Sequence, residues 1–208
     1  MLLDLVLPVE CGGCGAPSTR WCDTCAAALA VRTDEPALVT PRLDPGVPVF
    51  SLGRYAGVRR EAIVAVKERG RTDLIGPLSA ALHVGLTHLL AWGIVDDPLT
   101  LVPAPTRRSA ARRRGGDPAT RMALASGPPG TTVSQALRMR AFTRDSVGLS
   151  AGERQRNITG RVVLQRRVAG EVVLVDDVVT TGATAHESVR VLQTAGARVS
   201  AVLTIAHA

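Results

Sequence analysis

A chain of 208 residues that is 46% hydrophobic has room for one α/β domain with its own core, plus a small appendage. Aromatics make up 2%, which leaves the core to Leu, Val, Ile and Ala and argues against a ring-stacking platform for single-stranded nucleic acid. The net charge is +7 and Lys67 is the only lysine, so the positive surface is almost all guanidinium. Such a surface is either a solvated face or one that favours phosphate-bearing partners.

Residues 2–9 are apolar but short, contain Asp4 and lack a basic flank, so no secretory leader is expected. All four cysteines follow, as CGGC (Cys11, Cys14) and CDTC (Cys22, Cys25), with seven residues between the pairs. The two-residue gap lets both thiolates of a knuckle reach one ion, and Gly12, Gly13 and Gly15 permit the tight turn. Four thiolates suit a tetrahedral Zn²⁺ with no open position, hence a structural role. An iron–sulfur cluster and a pair of disulfides compete with this reading, the latter disfavoured in a reducing cytosol. So small a segment cannot hold together by burial alone, so metal binding and folding should be coupled. Trp21 is expected over the knuckle or on the next domain.

Pro36, Pro41, Pro45 and Pro48 make 33–48 a linker between a four-cysteine domain at 1–32 and a larger domain at 49–208. A strand is expected at 49–55 and a helix at 59–69 with Ile63, Val64 and Val66 inward. Residues 74–95 are apolar enough to need testing as a membrane span. Leu78, Leu82, Leu86 and Leu89 line one face and Ser79, His83 and Thr87 another, so the segment reads as a core-packed amphipathic helix in a cytoplasmic protein without membrane insertion. The run LTLVPAP at 99–105 is a buried strand ended by prolines. Asp117 and Pro118 open a short helix to 126. Strands follow at 131–137 and 162–164, with a helical turn between them at 150–156 capped by Ser150 and Glu153. The run EVVLVDD at 171–177 has the unbroken apolar character of a central parallel strand. A helix at 184–195, closed by Gly196, and a last strand at 198–207 complete an alternation that implies a mainly parallel, doubly wound sheet.

The stretch VVLVDDVVTTGAT, at 172–184, concentrates the chemistry. Asp176 and Asp177 are expected where their strand emerges at the carboxyl edge of the sheet, which is where ligands bind in open α/β folds. The turn through Thr180, Thr181, Gly182, Ala183 and Thr184 then enters a helix, whose first amides and positive end favour a phosphate. Gly182 allows close backbone approach. Acids beside a phosphate cradle make sense for a sugar phosphate: carboxylates accept from vicinal hydroxyls and stabilise positive charge at the anomeric carbon.

This stretch resembles the thirteen-residue PRPP-binding motif of type I phosphoribosyltransferases. With the cysteine knuckle ahead of it and LVPAP followed by an Arg-rich loop, the chain resembles the ComF family, competence-associated cytoplasmic bacterial proteins of type I phosphoribosyltransferase-like fold. The resemblance implies that Asp176 and Asp177 meet the ribose hydroxyls and act in catalysis, and that Thr180, Thr181, Gly182, Ala183 and Thr184 hold the 5′-phosphate. It places pyrophosphate on the loop after LVPAP, at Thr106, Arg107 and Arg108, with Arg112, Arg113 and Arg114 extending that loop. Arg154 and Asn157 match the flexible loop and its helix, and Lys67 falls near a family lysine. Where many relatives read GxNQ, this chain has GGDPAT with Asp117 and Pro118, and Ser146 stands where relatives often have Gln. Only 24 residues follow Thr184, so an acceptor pocket is expected from the N-terminal half.

The implied activity is Mg²⁺-dependent transfer of the 5-phosphoribosyl group of PRPP to a nitrogen acceptor, with Mg²⁺ carried mainly by the substrate. A non-catalytic PRPP or nucleotide sensor is one alternative. A protein that handles single-stranded DNA through its Arg-rich loop, together with competence and recombination partners, is another. None of the four histidines is expected to bind metal.

Overall fold

The computed structural model describes residues 9–106, 116–140 and 160–208. In chain order the elements are α1 (Asp23–Leu29), β1 (Ala37–Val39), β2 (Val49–Ser51), α2 (Gly57–Glu68), a 3-10 turn (Thr72–Leu74), α3 (Ile75–Ala91), β3 (Leu99–Pro103), α4 (Pro118–Ser126), β4 (Thr132–Val133), β5 (Leu137–Met139), β6 (Val162–Leu164), β7 (Glu171–Val179), α5 (Ala183–Thr194) and β8 (Arg198–His207). Six strands form one sheet in the order β1-β2-β8-β7-β3-β4, parallel throughout except for β1 against β2. Strands β5 and β6 make a separate antiparallel pair.

The apolar run in β7 explains its central place. Val172, Val173, Leu174 and Val175 are all fully buried, and the period-two alternation of a strand sends them to opposite faces. Val173 and Val175 join a core built with α2, α3 and α4, while Val172 and Leu174 join a second core built with α5. The sheet is therefore covered on both sides. The helical stretch Thr72–Ala91 has the length and composition of a membrane span, but half of its apolar window is buried inside the fold, with Leu78, Leu82, Leu86 and Leu89 in the core.

Several expectations shift in detail. Strand β7 runs on to Val179, so Asp176 and Asp177 lie within it, not where it emerges. The strand expected at 131–137 is two strands: Ala136 N–H donates to Ser134 C=O at 2.8 Å, and this tight turn moves the chain from the edge of the large sheet into the β5–β6 pair. Ser79 is buried in α3, and Val64 is only half-buried while its neighbours Ala62 and Ala65 join Ile63 and Val66 in the core. The proline-rich segment contributes β1 to the sheet, and α1 starts within the second cysteine knuckle, with Cys22 at its N-cap position and Cys25 in its first turn. The helical turn expected at 150–156 lies outside the described residues.

The cysteine segment is fixed to the larger unit by Arg71. Its guanidinium grips Asp73 at 2.7 and 2.9 Å and donates to the carbonyls of Glu10 and Arg20 at 2.9 and 3.1 Å. Trp21 packs against the core shared by α2 and α3. Truncating Leu82, which is fully buried, to Ala should lower the unfolding free energy by about 2–5 kcal/mol. Leu124→Ala, at a side chain 63% exposed, should change it by no more than about 0.5 kcal/mol, both read from denaturant midpoints.

Candidate functional site

Two places gather chemistry: the cysteine knuckle and the carboxyl edge of the sheet. In the first, the Sγ atoms of Cys11, Cys14, Cys22 and Cys25 all lie within 4.8 Å of one another. Cys11 and Cys14 each stand 3.7 Å from Cys22, and none of the four is in a disulfide. Tetrahedral thiolates at about 2.3 Å from a central ion would sit about 3.8 Å apart, so the thiols are already at coordination spacing. The turn demands glycine at position 13, where a Cβ would come within 2.7 Å of Cys25 Sγ. Burial acts to raise the Cys11 thiol, but the backbone N–H groups of Gly13, Cys14 and Cys22 outweigh it and bring it down to about 6. Burial and the neighbouring thiols push Cys25 up. Among the described residues no other set of three or more candidate ligands is close enough to share an ion.

The second place follows from unequal strand lengths. Strand β3 pairs with β7 only as far as Pro103 and Val175, with one more bond from Ala104 N–H to Val175 C=O at 2.8 Å. Pro105 has no N–H and cannot extend the ladder. Strand β7 continues beside β8 to Val179. Asp176 and Asp177 thus overhang β3. The chain leaves β3 towards β4 on one side and returns to β7 on the other, so the crevice between β3 and β7 is the topological switch point of the sheet.

The two acids have different partners. Asp177 is buried and its Oδ1 takes a hydrogen bond and ion pair from Lys67 Nζ at 2.8 Å, which binds α2 to β7. Burial alone would lower Lys67; the charges of Asp177, Asp176 and Tyr55 raise it instead. Asp176 Oδ1 accepts from the Asp177 N–H at 2.8 Å. Burial, and then the charge of Asp177, push Asp176 up to about 8, with Asp117 adding to the rise and Lys67 opposing it.

Beyond Val179, Thr180 is exposed, Thr181 and Thr184 are half-buried, and Gly182 and Ala183 are buried. Gly182 caps α5 in the left-handed region, at φ 81°, and offers no side chain to the first-turn amides. The close approach it permits is taken by the chain itself: a Cβ there would lie 2.3 Å from Leu43 C=O and 2.9 Å from Pro41. Leu43 N–H donates to Thr181 C=O at 2.9 Å, and His186 Nδ1 meets Asp44 C=O at 2.7 Å. Residues 41–44 are a strap along one side of the loop.

Asp176, Asp177 and the 180–184 loop are therefore contiguous at one sheet edge, and Thr106 sits half-buried just past β3. Arg107, Arg108, Arg112, Arg113, Arg114, Ser146, Arg154 and Asn157 lie outside the described residues. Lys67 serves Asp177. Sequence reading did not find the strap or that ion pair, since neither contact has a local signature; a lone lysine in an arginine-rich chain was the only cue. No family model matches the sequence, and no curated protein matches it.

Metal analysis of purified protein should find about one ion per chain, and stripping it with a strong chelator should lower Tm and loosen the N-terminal segment first. A second expectation concerns pH. The ordinary value for Asp176 is 3.8 and the folded value is about 8, so the proton it holds supports the fold fully below about pH 4 and this support is lost as pH rises towards 8. Asp176→Asn should flatten the fall in Tm across that window; an unchanged slope would contradict it.

Proposed function

We propose that the chain binds PRPP, or a related sugar phosphate with Mg²⁺, in the crevice between β3 and β7, as a ComF-like member of the type I phosphoribosyltransferases. The observation that carries this reading is the placement of Asp176 and Asp177 at the switch point, on the same strand that feeds the Thr180–Thr184 loop into α5. Ribose hydroxyls donate to the carboxylates, and the 5′-phosphate takes hydroxyls of the loop and the first-turn amides beyond Ala183, whose N–H meets Thr181 Oγ1 at 3.4 Å, on the side away from the strap. Thr106, with Arg107 and Arg108, receives the pyrophosphate. The four thiolates hold a structural Zn²⁺. The reaction is transfer of the 5-phosphoribosyl group to a nitrogen acceptor, in the cytoplasm, in a process tied to DNA uptake. Positioning and electrostatics supply most of the catalysis, and Mg²⁺ carried by the substrate would neutralise charge on the leaving group.

A second reading, a DNA-handling protein, is favoured by a separate observation. The described residues of the β5–β6 pair and its flanks, 134–140 and 160–170, carry Arg138, Arg140, Arg161, Arg166 and Arg167 and no acid. Arg140 N–H bonds Arg161 C=O at 2.8 Å, so two of these residues are cross-strand neighbours. A ribbon of guanidinium groups suits a phosphate backbone, with affinity falling steeply as salt rises.

One experiment addresses both. PRPP with Mg²⁺ should raise Tm by mass action, and Asp176→Asn combined with Asp177→Asn should erase the rise while leaving any salt-sensitive DNA binding intact. No rise at millimolar PRPP would sink the sugar-phosphate reading.

A further inference from the structure

Leu124 stands apart from its neighbours on α4. Met122 and Ala123 are buried in the core, while Leu124 is 63% exposed. It is not an isolated surface leucine: with Val133, Gln135, Gln165 and Arg166 it lines an open cavity of about 380 Å³. Three elements meet there. Leu124 comes from α4, Val133 from β4 at the edge of the large sheet, and Gln165 and Arg166 directly follow β6. The backbone N–H groups of Gln165 and Arg166 both donate to Ala136 C=O, at 2.7 and 3.4 Å, which fixes the exit of β6 beside the turn that carries Gln135.

Arg166 joins this cavity to the guanidinium ribbon. Strand alternation turns Leu137, Met139, Val162 and Leu164 towards the core built with α5. Arg138 is therefore on the opposite face of the pair, with Arg140 and Arg161 continuing the ladder one step past the strands. Of the five lining residues none is acidic and none is aromatic. A cation has no fixed charge to meet there. Each carboxamide instead presents N–H donors beside a carbonyl acceptor, which complements the edge of a nucleobase. Gln165 spends one N–H on Leu137 C=O at 3.5 Å and keeps its own carbonyl oxygen as an acceptor. Leu124 and Val133 supply aliphatic contact for the face of a ring.

We propose that this cavity seats one unpaired base of a single-stranded nucleic acid whose phosphates lie on the ribbon. The inference rests on the DNA-handling reading above and deepens it. Guanidinium groups alone take any phosphate backbone, whereas a base enters the cavity only when its edge is free of a complementary strand. Edge hydrogen bonds and aliphatic contact replace ring stacking, in a chain with only 2% aromatics.

The test uses the full chain and fluorescence anisotropy at fixed salt. The probes are a single-stranded oligonucleotide, an abasic strand of the same length, a duplex and a mononucleotide. The single strand should bind about 10-fold or more tightly than the abasic strand. Leu124→Ala, which leaves stability nearly unchanged, and Gln135→Ala combined with Gln165→Ala should each shrink that preference and leave duplex binding as it was. Arg138→Gln should weaken binding of every strand and reduce the salt slope by about 1. Equal binding of the single and abasic strands would overturn the proposal and leave the ribbon standing. So would a base preference that survives the cavity substitutions. A mononucleotide that binds as tightly as the oligonucleotide would overturn the assignment to a strand. Absence of salt-sensitive binding to any strand would overturn the DNA-handling reading as well.

Discussion

Strand β7 is nine residues long and its neighbour β3 is five, and the candidate site exists because of that mismatch. Pro105 cannot donate to the ladder, so β3 stops serving as a partner just where β7 turns from valine to aspartate. The remaining edge of β7 is supported by β8 alone. Buried on both faces further down, the strand is rigid at the point where it begins to overhang. Rigidity below and an open flank above hold a pair of carboxylates at a sheet edge without paired backbone crowding them.

Adjacent carboxylates in a partly buried place repel each other, and the fold answers with its single lysine. Lys67 reaches across from α2 to Asp177, while burial first, and then the charge of Asp177, raise the proton affinity of Asp176. The two acids are adjacent in sequence but unequal in chemistry. One is clamped as an ion pair and the other is poised near neutrality. Removing one partner from a buried pair usually costs more than the pair contributes, so Lys67 is as much a part of the site as the acids it serves.

Much of the fold was legible in the chain because the signals are local. The run from Val172 to Val175, the leucine stripe of α3 and the Asp117–Pro118 helix start each act within a few residues, and the structure bears them out. The cysteine spacing forecast a thiol cluster, and the cluster is there. What local reasoning missed depends on partners far along the chain. Strand β1 is three residues between prolines and is a strand only because β2 offers it an edge. Asp176 and Asp177 are extended because β8 continues beside them, not through any preference of Asp for strands. The place of Gly182 was legible, but its neighbour was not: Leu43 and Pro41 fill the space that the bare backbone leaves.

That strap joins residues about 140 positions apart, and β2, near the start of the larger unit, finds its parallel partner only in β8. A chain emerging from the ribosome therefore holds β2 without that neighbour until Arg198–His207 has been synthesised. Contacts of such long range close late and slow the search for the native state. In vivo, the knuckle can settle around its thiols while the larger unit is still waiting for its last strand, so the two ends of the molecule mature on different clocks.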